Sequence, residues 1–101
     1  MKGVSMKLVM ICYNEAIDNE VIELLEQAGV KGYTKWTKVQ GKGKTSGPHL
    51  ITAIWPKANN VIAAAVPQEV ADAILEKVRG MKTKLGKEGL KTFMLPIDEI
   101  T

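Results

Sequence analysis

A chain of 101 residues suits a single domain, 1–101, with a modest core. Its 46% apolar and 25% charged residues are those of a folded globular protein and exclude a disordered or low-complexity chain. A formal charge of +3 is too small for a nucleic-acid-binding signature, and the one cysteine, Cys12, excludes an intrachain disulfide.

Met1 to Ser5 carries no pattern and is expected to contribute nothing to the fold. Lys7 to Tyr13 is a continuous apolar run, read as a strand buried on both faces, with Cys12 a small buried thiol within it. The run is too short for a signal-peptide core or a membrane span, so a cytoplasmic location without membrane insertion is expected. Asn14 to Asp18 supplies cap-type residues. Ile17, Val21, Leu24, Leu25 and Ala28 then recur at helical spacing, with Glu20, Glu23 and Glu26 on the solvated face, and Gly29 and Gly32 end the helix. Tyr33 to Gln40, rich in β-branched and aromatic residues, reads as a second strand. Leu50 to Trp55 and Asn60 to Val66 are further strand runs, separate or continuous through a bulge at Pro56. Pro67 opens a second helix with the apolar set Val70, Ala73, Ile74, Val78, Met81 and Leu85. Gly86-Lys87-Glu88-Gly89 forms a loop, and Leu90 to Leu95 is the last strand, closed by Pro96.

The order is β-α-β followed by β-α-β, and the two halves echo one another. Asn19-Glu20-Val21 with Leu24-Leu25 is matched by Gln68-Glu69-Val70 with Ala73-Ile74. A duplicated unit of this size predicts an α+β ferredoxin-like βαββαβ sandwich, its antiparallel sheet carrying both helices on one face. Strands apolar at so many consecutive positions, Ile62 to Val66 above all, leave the other face needing a cover, so an oligomer is expected.

The glycine-rich segment QGKGKTSGPH lies where charge is most one-sided: from Lys31 to Lys57 every charged residue is a lysine. A bare loop between strands accounts for such glycines without any ligand. A nucleotide P-loop is excluded, because the glycine it needs five positions before Gly43 is Lys38 and no helix follows. Beside the bare loop, the other reading that remains is a backbone nest. Gly41 and Gly43 let N–H groups converge, Lys42 and Lys44 add charge, and Thr45 and Ser46 offer hydroxyls to a phosphate or carboxylate. A second glycine-lysine segment, Gly86 to Lys91, enters the last strand and is expected to meet the first across a subunit boundary.

The runs KVQGKGKTSG, WPKANNVIAAAVPQEVADAILEKV and LGKEGLKTFMLPIDEI together resemble the PII nitrogen-regulatory protein family over nearly the whole chain. They correspond to the glycine-rich start of its T-loop, its valine-proline-acid helix start, and its B-loop with the F-x-L-P-x-x-E finish. The resemblance implies a PII-like homotrimer that binds adenine nucleotides, or another small anionic effector, in clefts between subunits. It also implies that a T-loop docks on a protein target. By position, Gly41, Gly43 and Lys44 fall at the T-loop base, and Gly86, Gly89 and Lys91 on the phosphate-contacting B-loop; Thr45 and Lys87 complete the candidate set. The chain departs from the family in three places. Its T-loop region, Gly41 to Pro56, is short and lacks the modified tyrosine. Thr45 stands where the family has a glutamine for magnesium and 2-oxoglutarate. No counterpart of the C-terminal phosphate-gripping arginines appears up to Thr101. These departures weigh against tight ATP binding with a 2-oxoglutarate response.

A competing reading makes His49 a divalent metal ligand in a CutA-like metal-homeostasis trimer. Nucleic-acid binding through the lysine-rich stretch ranks lowest, since aromatics are poorly interleaved there. Trp36 and Trp55 are read as subunit-interface packing, with base stacking an alternative for Trp55. One histidine, one buried thiol and no serine elbow offer no nucleophile–base–acid set, so no enzymatic activity is expected.

Overall fold

The computed structural model describes residues 5–41, 58–85 and 89–101. Strand β1 (Met6–Asn14) runs through a 3-10 turn, Glu15–Ile17, into helix α1 (Asp18–Ala28). Strand β2 (Thr34–Val39), strand β3 (Asn59–Pro67), helix α2 (Gln68–Leu85) and strand β4 (Leu90–Pro96) follow. The sheet order is β2-β3-β1-β4 with every neighbouring pair antiparallel, the ferredoxin-like arrangement. The strand expected over Leu50 to Trp55 lies outside the described residues.

Alternation decides which face is which. Val9, Ile11 and Tyr13 of β1, Ile62, Ala64 and Val66 of β3, and Leu90 of β4 are buried against Val21, Leu24 and Leu25 of α1 and Ala71, Ile74 and Val78 of α2. Both helices therefore cover one face. Gly29 ends α1 in the left-handed region at φ 92°, its N–H donating to the carbonyls of Glu26 and Leu25, a conformation costly for any residue with a Cβ.

Two expectations are revised. β1 is buried on one face only within a single chain, because Leu8, Met10 and Cys12 point away from the helices and stay half-exposed. The second helix, Gln68–Leu85, departs from its expected apolar set near its start. It buries Ala71 fully, whereas Ala73 is only half-buried, since alanines flanking Asp72 give the apolar period no strong phase.

The open face forms cross-strand rows. Trp36, Val61, Cys12 and Lys91 make one; Thr34, Ala63, Met10 and Phe93 the next; Ala65, Leu8 and Leu95 a third. Trp36 is 49% exposed, Phe93 47% and Leu95 42%. An apolar sheet face of this extent is unusual on a monomer.

Candidate functional site

One end of the sheet gathers the C-termini of β1 and β2 and the N-termini of β3 and β4. The backbone of this end is knitted together. Asn14 donates its N–H to the Gly89 carbonyl at 2.9 Å, and Glu15 donates to the Ala58 carbonyl at 2.9 Å. The Asn14 side chain caps the turn that follows, accepting from the Ala16 N–H at 2.8 Å. Gly89 adopts φ 83°, a backbone that favours glycine, and a Cβ there would come within 3.4 Å of that of Asn14. Gly41, just past β2, comes close to β3: a Cβ built on it would stand 3.1 Å from the Asn59 side-chain nitrogen.

Of the predicted site residues, Gly41, Gly89 and Lys91 are among those described, and all three lie at this end. Lys91 is exposed on the open face in register with Cys12. Gly43, Lys44, Thr45, Gly86, Lys87 and His49 lie outside the described residues. Gly41 and Gly89 do not adjoin within one chain: β2 and β4 are opposite edges of the sheet, about 14 Å apart at three strand spacings. Among the described residues no group of three histidine, cysteine or acidic side chains could hold a metal ion, and no helix is long and apolar enough to cross a membrane.

Beneath this end lies a polar cluster that the sequence reading did not single out. The Asp18 carboxylate, at the start of α1, accepts from the Tyr13 hydroxyl at 2.5 Å and from the Asn60 side-chain nitrogen at 3.2 Å. Lys35 of β2 approaches both its oxygens, at 2.8 and 2.9 Å. Burial pushes the Asp18 carboxyl upward, but bonds from Lys35 and Tyr13, with the Lys35 charge and Asn60, outweigh it and hold it below its ordinary value. The Tyr13 phenol moves the other way, raised by burial first and then by its bond to Asp18. The signals in the sequence were slight: a tyrosine on the inward face of β1 needs a partner for its hydroxyl, and β2 puts a lysine inward and a tryptophan outward.

β2 itself is irregular. Between the pairs Trp36–Val61 and Val39–Asn59 it advances one residue more than β3, a bulge. Lys38 sits in it at φ 58°, a conformation seldom taken by non-glycine residues.

The sequence model for nitrogen regulatory protein P-II matches residues 6–101. No curated protein matches the chain by sequence. Among solved structures, CPII of Thiomonas intermedia K12, a nitrogen regulatory PII-like protein, in a form bound to ADP, AMP and bicarbonate, is 27% identical with a TM-score of 0.69, over 92% of each chain. The same protein bound to ADP, AMP and acetate gives 29% identity and a TM-score of 0.70, over 92% of this chain and 86% of that one. A GlnK–ATP complex of B. subtilis, at 21% identity and a TM-score of 0.67 over 92% of this chain and 82% of that one, shares the fold. The CutA-like reading finds no support among these matches. A family model spanning every described element, joined to the same fold in PII-like proteins, places this chain in the nitrogen regulatory protein P-II family.

Proposed function

We propose that the chain is a PII-like signalling protein that binds a small anionic effector in clefts between the copies of a homotrimer. It regulates a protein partner through residues 41–49 and has no reaction of its own. The observation that carries the reading is the likeness to CPII, aligned over 92% of both chains and bound to ADP, AMP and bicarbonate. An adenine nucleotide with a small carboxylate-like second effector is therefore the first ligand class to try. The open apolar rows on β1, β3 and β4 support assembly, since burying them against other copies removes Phe93 and Leu95 from water. The placement of Gly41 and Gly89 at one end of the sheet but on opposite edges favours a site shared by two copies. In this reading Gly41, Gly43, Lys44 and Thr45 come from one copy, and Gly86, Lys87, Gly89 and Lys91 from the next. Backbone N–H groups hold the phosphates and the lysines supply charge.

The test is calorimetric titration of the wild-type chain and Lys91→Ala with ADP, AMP and ATP, each with and without bicarbonate, alongside light scattering. Lys91→Ala is expected to keep the wild-type assembly and lose roughly tenfold in ADP affinity, the scale of one charged hydrogen bond. A wild-type chain that binds none of these nucleotides would overturn the ligand class; equal affinity in Lys91→Ala would remove that lysine from the site.

A further inference from the structure

The Asp18 cluster has a property the proposed site does not use. Residues 42–57 leave from β2 and return into β3, and one carboxylate is bonded to both strands: Lys35 on β2 at 2.8 and 2.9 Å, and Asn60 on β3 at 3.2 Å. The Tyr13 hydroxyl fixes that carboxylate to the central strand at 2.5 Å. The backbone ladder is irregular beside this point, because the β2–β3 register shifts between Trp36 and Val39 and Lys38 takes φ 58°. Asn60 is 4% exposed, and its side-chain oxygen has no partner among the described residues, so its nitrogen's bond to Asp18, beside the Tyr13 hydroxyl, helps to satisfy a buried amide. Asp18 and Lys35 keep only 28% and 27% of their side-chain surface, enough shielding for the pair to be more than a solvated surface contact.

We propose that Asp18 is a positioning residue whose carboxylate, by gripping Lys35 and Asn60 together, fixes the two roots where β2 gives out and β3 begins, Gly41 and Ala58. Gly41 belongs to the proposed effector site, so Asp18 acts on that site without touching the effector. Only this last step rests on the proposed function. The sign of the effect separates positioning from simple electrostatics. A carboxylate near an anion site repels the anion, so charge alone predicts that neutralising Asp18 tightens binding. Positioning predicts that it weakens binding.

The experiment compares wild-type, Asp18→Asn, Lys35→Met and Lys35→Arg full-length chains. Amide hydrogen exchange without ligand is expected to be roughly tenfold faster in both Asp18→Asn and Lys35→Met over residues 34–41 and 58–60, with α2 unchanged and Lys35→Arg close to wild type. Should Asp18→Asn fail to fold, Lys35→Met decides, because Asp18 keeps its bonds to Tyr13 and Asn60 there. Unaltered exchange at both roots overturns the proposal, as does faster exchange spread equally over α2. ADP titration then reads the functional step: affinity falling roughly five- to tenfold in Asp18→Asn supports it, and equal or tighter binding overturns it. If ADP does not bind the wild type, the proposed ligand class fails while the exchange data still decide the positioning role.

Discussion

Asp18 is where a single ionisation has the widest reach. Its folded-state carboxyl lies below the ordinary value near 3.8, so the charged form is the one the fold stabilises. That contribution is complete above the unfolded-chain value and disappears as pH falls through the lower folded value. The melting temperature of the wild type should therefore drop more steeply than that of Asp18→Asn between about pH 5 and pH 2, and the two curves should converge at the acid end. Parallel curves would mean that Lys35 and Tyr13 do not bias the ionisation. At this scale the sequence was least legible. The glycines and lysines of the two candidate segments stand out by composition, whereas Tyr13 hides inside an apolar run, Lys35 among many lysines, and Asp18 behind an ordinary capping role. Their partnership is a product of register: Lys35 aligns with Ile62 and points to the helices, where Asp18 begins α1.

Among the elements, helix and strand identities followed from period and punctuation. A continuous apolar run marked β3, the left-handed Gly29 closed α1 where expected, and Pro67 ends β3 directly before α2. The phase of α2 was harder to read. Its inward stripe is Ala71, Ile74 and Val78, and the small alanines around Asp72 let the period slide by a residue or two. The bulge in β2 was equally hidden, since no glycine or proline marks Lys38. Ile74 is fully buried where α2 meets the sheet, so Ile74→Ala is expected to cost about 2–5 kcal/mol, whereas an alanine at half-exposed Leu75 should cost clearly less. Chemical denaturation midpoints of the two variants check this; equal losses would put the helix in a different phase.

For the molecule as a whole, the fold was readable because duplication and order leave few topologies, and the open sheet face was foreseeable from the unbroken apolar run Ile62 to Val66. What the residues could not reveal was that this face stays half-wet in the isolated chain, with its largest groups on the edge strands. Phe93 lies near the middle of β4 on that face, so Phe93→Lys should dissociate the proposed assembly while leaving the helix-side core intact. Sedimentation velocity with circular dichroism reads both; an unchanged sedimentation coefficient would place the contact elsewhere. The separation of Gly41 and Gly89 on opposite edges carries a consequence for how occupancy scales. A site divided between copies ties ligand uptake to protein abundance: dilution strips bound effector even at constant free effector, and effector in turn raises the concentration of intact assemblies. Under the proposed function, such a protein would report its own copy number together with its effector, and lowering its abundance would reduce sensitivity more steeply than in proportion.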